Sequence, residues 1–264
     1  MRCVVRLLCF VFALQGALAS ACELRTTWKH DPPYQYEDEQ HRLTGLEIEV
    51  ARAALGRIDC QLIAVELPFA RAMAELEAGR VDLVPGVLPR PDRERYALFS
   101  LPGLRTRNLV FVRSDLEPGQ RPNSMDELRA SALRLGVERG TAYRAELKAR
   151  LDRPGQERRL EEATSLEGLL RMLQMRRIDA FVADEYSTSF LARQLGLAAV
   201  PQATPIVIDD DAPVFAFSRL HVKPALVERF NAALQALQRD GTLKRLENQF
   251  LHPPSATAGR SDRQ

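Results

Sequence analysis

The sequence is poor in the residues from which metal centres and covalent catalysts are built. It carries four histidines and four cysteines in 264 residues. His30, His41, His221 and His252 are scattered, with no i, i+4 pair to hold zinc, so no metal is expected. There is no G-x-S-x-G elbow, no S-x-x-K pair and no Cys with a companion His of the kind that nucleophilic catalysis needs. Also missing are a Gly-Lys phosphate loop and a G-x-G-x-x-G after a strand, which removes nucleotide cofactors. Asp209-Asp210-Asp211 lacks the spaced oxygens and distal Glu of a calcium loop and reads as a solvated connecting segment. Charge of one sign is lacking too. Lys and Arg number 37 against 35 Asp and Glu, and Arg2 and Arg6 fall in a segment, residues 1–21, without acids. The rest of the chain is neutral and offers no footprint for nucleic acid or an anionic membrane. What is present, 45% hydrophobic and 27% charged residues with 14 Gly and 16 Pro, is the composition of a globular protein. The length suits about two domains.

Residues 1–21 read as a secretory signal, with Arg2 and Arg6 before the apolar Leu7–Leu14 and small residues at a cleavage point after Ala19 or Ala21. The apolar run is short for a membrane span, which needs about 20 residues. A secreted protein is therefore expected. Cys3 and Cys9 leave with the signal, and Cys22 and Cys60 remain. Each stands just before a β-rich run, Leu24–Trp28 and Gln61–Leu67, so a disulfide between neighbouring strands is expected, with two buried thiols as the alternative.

Beyond residue 22, β-rich runs alternate with helical periodicity, the pattern of an α/β protein with largely parallel sheets. Strands are expected at 24–28, 61–66 and 81–84, with helices at 45–55 and 70–78 between them. Pro85, Gly86, Pro89 and Pro91 read as a turn-rich loop. A second layer follows, with strands at 109–112, 133–137 and 179–183. Its helices are one capped by Ser124 and Glu127, one opened by Gly140-Thr141, and two at 166–175 and 187–195. A return strand at 214–217 and helices at 224–238 and 242–251 close the ordered chain. Residues 253–264 read as a disordered tail.

Several segments then resemble one family in the right order. Pro32-Pro33-Tyr34-Gln35-Tyr36 with Leu43–Ala51 looks like the N-terminus of the family 3 bacterial extracellular solute-binding proteins. Ala70–Leu76, Gly79–Leu83, Arg93-Glu94-Arg95, Phe99-Ser100, Gly136–Thr141, Arg177–Asp184, Phe230-Asn231, Asp240–Thr242 and Phe250 extend the likeness over about residues 22–251. It implies a type II periplasmic binding-protein fold, two α/β lobes closing on a small ligand. The implied boundaries are a first lobe of 22–104 plus 212–252 and a second of 105–211, with hinges near 103–108 and 208–213. It implies a monomer without cofactor that passes an amino acid or similar polar solute to an ABC permease of the inner membrane.

By the same resemblance, Arg93 binds a ligand α-carboxylate, a task for which a guanidinium fork is suited. Gly140 and Thr141 supply the second-lobe contact to that carboxylate, and Asp184 pairs with the α-ammonium. Phe69, Trp28 and Tyr34 stand where aromatic walls are expected, and Gly86 lies in the loop beside them. Each also has a plainer explanation: a surface arginine, a helix cap, core packing. Leu88, Arg90 and Asp31 depart from the amino-acid-binding pattern. Arg90 is placed to reach a second anionic group, and Asp31 with Glu185 to favour a second cation. An enzyme is not expected. The alternatives are a cyclohexadienyl dehydratase on this fold, with Asp184-Glu185 as its acid, or a ligand sensor for a membrane receptor.

Overall fold

The protein is represented by a computed structural model that describes residues 22–141, 144–152, 160–197 and 199–251. The expected secretory signal and tail lie outside the described residues. The chain runs β1 (Cys22–Trp28), a small hairpin of β2 (Tyr36–Glu37) and β3 (Leu43–Thr44), α1 (Leu46–Gly56), β4 (Cys60–Glu66), α2 (Phe69–Glu77), β5 (Leu83–Val87), α3 (Pro91–Glu94) and β6 (Ala97–Phe99). It continues through β7 (Thr106–Val112), α4 (Met125–Ala130), β8 (Leu135–Glu138), α5 (Arg144–Leu151), β9 (Leu160–Ala163), α6 (Leu166–Gln174), β10 (Ala180–Asp184), α7 (Glu185–Gln194) and β11 (Gln202–Asp211). Last come β12 (Val214–Ser218), α8 (Pro224–Arg239) and α9 (Thr242–Leu251).

Two five-stranded sheets result, in the orders β4-β1-β5-β12-β6 and β11-β7-β10-β8-β9. Each is mixed. β1 runs parallel to β4 and β5, and β8 runs parallel to β9 and β10. The antiparallel pairings come from strands that enter after the chain changes sheet: β12 on β5 and β6, and β7 with β10 and β11. The parallel units are those expected from the alternating pattern; the antiparallel additions follow from the two crossings and leave no local signature.

The cores follow from periodicity. In α8, Val227, Phe230, Leu234 and Leu237 share a buried stripe at helical spacing, and the Phe230 ring meets Phe215 and Phe217 of β12 edge-on at 5.2 and 5.1 Å. The returning segment is thereby fixed to the first sheet. In the second sheet, Val110 and Val112 face one core while Leu109 and Phe111 face another. A strand covered on both faces reads as an unbroken apolar run, as Leu109–Val112 does. Cys22 and Cys60 are partners in register between β1 and β4 and form the expected disulfide, with Cα atoms 4.4 Å apart.

Two local expectations are corrected and one strand is added. Pro85 and Gly86 lie within β5, at a register irregularity against β12, where a residue without an N–H is tolerated and Gly86 takes φ +69°. Asp209-Asp210-Asp211 ends β11 rather than connecting elements; at this sheet edge Asn108 donates to Asp209 and Arg105 pairs with Asp210. The edge strand β9 was unforeseen, because Leu-Glu-Glu-Ala has neither alternation nor β-branched residues.

Candidate functional site

In parallel strands ligands gather at the carboxyl ends, and the candidate residues are found there. Trp28 ends β1, Phe69 opens α2 just after β4, and Arg93 follows β5 on the short α3. In the second sheet Glu138 ends β8 and Asp184 ends its neighbour β10.

The two sets meet through the segment after β1. The backbone carbonyls of Pro33 and Tyr34 accept from the Leu46 and Glu47 N–H groups at 2.9 and 3.1 Å, so this loop caps α1 in place of a side chain. Only glycine serves at position 45, since φ is +117° and a Cβ would lie 2.3 Å from the Tyr34 oxygen. Held in this way, the buried Tyr34 donates its hydroxyl to Asp184 Oδ1 at 2.9 Å, a bond from the first sheet's loop to the second sheet. Tyr36 packs against Phe190 with ring centroids 5.2 Å apart, and Tyr186 packs on the first sheet's core. The start of α7 therefore lies against the other half of the molecule.

Asp184 caps α7, its Oδ1 accepting from the Tyr186 and Ser187 N–H groups at 3.0 and 2.7 Å. The Ser187 side chain gives the carboxylate a further hydrogen bond. Burial raises its pKa to about 6 in spite of those donors. Tyr34 is raised well above its usual range by burial and by Asp184. Glu47, which accepts from Gln35 Nε2 at 2.7 Å, is pushed up to about 7, chiefly by burial. Gly86 makes room for it: a Cβ there would stand 3.1 Å from both Glu47 carboxylate oxygens. Lys29 pairs with Asp31.

Arg93 is braced and only partly engaged. Its Nη1 donates to the Leu88 carbonyl at 2.7 Å and its Cζ lies 5.6 Å from the Phe69 ring centroid, within cation–π range. Among the described residues its other donors bond nothing. A guanidinium so placed can receive a carboxylate.

Comparison with known proteins decides the lineage. The family described as bacterial extracellular solute-binding proteins, family 3, matches residues 24–253. The chain belongs to this family. A relative, the probable amino-acid-binding protein YxeM of Bacillus subtilis, is 27% identical over 221 residues, covering 83% of this chain and 80% of that one. Among solved structures, the probable amino-acid ABC transporter extracellular-binding protein ytmK of Bacillus subtilis superposes with a TM-score of 0.75 at 19% identity, covering 87% and 97% of the two chains. An ancestral amino acid-binding protein described as a precursor of cyclohexadienyl dehydratase gives 0.67 at 21% identity, covering 87% and 95%. The structural likenesses establish the two-lobed solute-binding fold.

Within this family fold the remaining expected residues fall as follows. Arg90 is exposed and held by both oxygens of Asp92, with Nε and Nη2 at 2.9 and 2.7 Å. Glu185 makes a two-point contact to Arg107 at 3.0 and 2.6 Å, so it is no free acid beside Asp184. Thr141 Oγ1 donates to the Glu138 carbonyl at 2.9 Å, and Gly140 turns the chain with φ +83°. Trp28 is buried at the strand end, and Asp31 shares a tight turn with Gln35. Lys29, Gln35, Glu47 and Glu138 were not singled out from the sequence. Glu138 and Lys29 follow directly on strand runs, and charged residues at those ends are the signal that locates them. Among the described residues there is no cluster of three or more metal-ligating side chains and no helix long and apolar enough to cross a membrane.

Proposed function

We propose that the protein is a periplasmic amino-acid-binding protein that closes its two lobes on the ligand and delivers it to an ABC importer. The reading rests on one observation: a guanidinium with unengaged donors on α3 and a partly buried carboxylate at the end of β10 stand on the two halves of the molecule, which meet across the Tyr34–Asp184 bond. Those groups suit the two ends of a zwitterion. Arg93 takes the α-carboxylate, assisted from the second lobe by Gly140 and Thr141, and Asp184 Oδ2 takes the α-ammonium. Phe69, Trp28 and Tyr34 wall the space between, and Gly86 keeps it open. The lobes are 22–104 with 212–252, and 105–211, turning near 103–108 and 208–213, where the chain passes between the sheets. Binding without turnover is supported by the engagement of Glu185 with Arg107 and by the relatives' description as binding proteins.

The test is isothermal titration of ligand-stripped protein with amino acids, comparing wild type with Arg93→Ala and Asp184→Asn. Truncating one partner of a desolvated charge pair costs about 2 kcal/mol or more, so each variant should bind roughly 30-fold more weakly. Unchanged affinity in both variants would remove these residues from the site. Recovery of the bound amino acid unaltered is the accompanying result for a carrier.

A further inference from the structure

We propose that Glu138 is the residue that selects the ligand's distal group, and that this group is a cation. The inference rests on the reading that the cleft holds an amino acid. Glu138 and Asp184 leave the carboxyl ends of adjacent parallel strands, so both emerge on the edge of the second sheet that receives the loop carrying Lys29, Asp31 and Tyr34. The neighbouring Arg139 is turned away and pairs with Glu162. Among the described residues the Glu138 carboxylate makes no hydrogen bond and no ion pair, although it is half-buried.

The charges that face it do not compensate it. Asp31 repels the Glu138 charge more than Lys29 attracts it, and Lys29 is itself paired with Asp31. Glu47 feels the same loop in the same order, Asp31 before Lys29, and Asp184 is likewise repelled by Asp31. Four carboxylates thus share the region with one lysine. A half-buried carboxylate without a partner is a standing cost, and closing the lobes on it raises that cost by removing water. A positive group brought by the ligand reverses the sign: it pairs with Glu138, with Asp31 adding to the negative field, and closure then strengthens the pair. The zwitterion's own ammonium does not serve, because it is placed at Asp184. The ligand class is therefore an amino acid with a side-chain ammonium or guanidinium.

The experiment compares two nearly isosteric ligands that differ in charge, L-arginine and L-citrulline, by titration calorimetry on the full mature chain. Wild type should bind arginine at least tenfold more tightly. Glu138→Gln, which keeps the shape and removes the charge, should bring the ratio near one while leaving the citrulline affinity within threefold. Asp31→Asn, an independent variant should Glu138→Gln not fold, should lower the ratio by a smaller factor. Equal affinities of the wild type for the two ligands overturn the proposal and leave the amino-acid reading standing, as does a ratio unchanged in Glu138→Gln. Failure of the wild type to bind any amino acid, charged or neutral, overturns both.

Discussion

At the residue scale, Asp184 has one duty that the structure shows and a second that is proposed. It is the helix cap that its place before Glu185-Tyr186-Ser187 suggests, and the family resemblance makes it the ammonium partner. Its titration links them. The folded pKa of about 6 lies above the ordinary 3.8, so in the ligand-free protein the folded state holds the proton more tightly than the unfolded one. This group's contribution to stability is therefore fully present below about pH 4 and is lost as pH rises through about 6. Ligand binding has the opposite sign, because an ammonium needs the carboxylate ionised. Affinity should be nearly flat above pH 7 and stand about tenfold below that plateau at pH 5, and Asp184→Asn should flatten that limb. Titration calorimetry across pH 5–8 checks this, and a wild-type affinity that does not weaken toward pH 5 would show that Asp184 does not hold the cation. Arg93 is marked as a ligand contact only by its register within the resemblance, since arginine abounds in this sequence. Glu138 was passed over because a single acid in Gly-Val-Glu-Arg-Gly-Thr looks like surface until the fold brings Asp31 opposite it.

At the scale of elements, helices were legible and strands less so, for a physical reason. A helix states its buried face every three or four residues within its own span, as α8 does. A strand's identity depends on partners distant in sequence. β11 hides behind Pro205 and three aspartates and pairs with β7 through two register irregularities, and β9 hides behind two glutamates yet pairs along its length with β8; both lie at sheet edges. The cysteines gave the opposite lesson: two residues, each preceding a β-rich run, announced a register 38 residues apart. Closing a loop of that length contributes about 3–4 kcal/mol by limiting the unfolded chain. The double variant Cys22→Ala, Cys60→Ala should melt about 6–15 °C lower, and reductant should lower the wild type to match it. Calorimetry that finds the two melting together without reductant would mean that the bridge adds nothing to stability.

At the scale of the whole molecule, two sheets are joined where the chain passes from β6 to β7 and from β11 to β12, and they touch again through Tyr34, Tyr36, Tyr186 and Phe190. The alternating pattern made two α/β layers legible, but not which strands return to which sheet; the return of β12 to the first sheet was known only through the resemblance. On the proposed reading, ligand capture is coupled to closure, because the groups proposed to hold the ligand belong to different halves of the molecule. Binding then stabilises both halves together. The most direct test is the melting temperature of unfolded-and-refolded, ligand-free protein against a panel of amino acids, polyamines and organic acids. At 100 times its dissociation constant a ligand adds about 2.7 kcal/mol, or roughly 5–10 °C for a chain of this size. The account predicts such a shift, as one cooperative transition, with a few chemically related amino acids, those with a cationic side chain foremost. A panel in which no amino acid moves the transition, while an organic acid does, would contradict it.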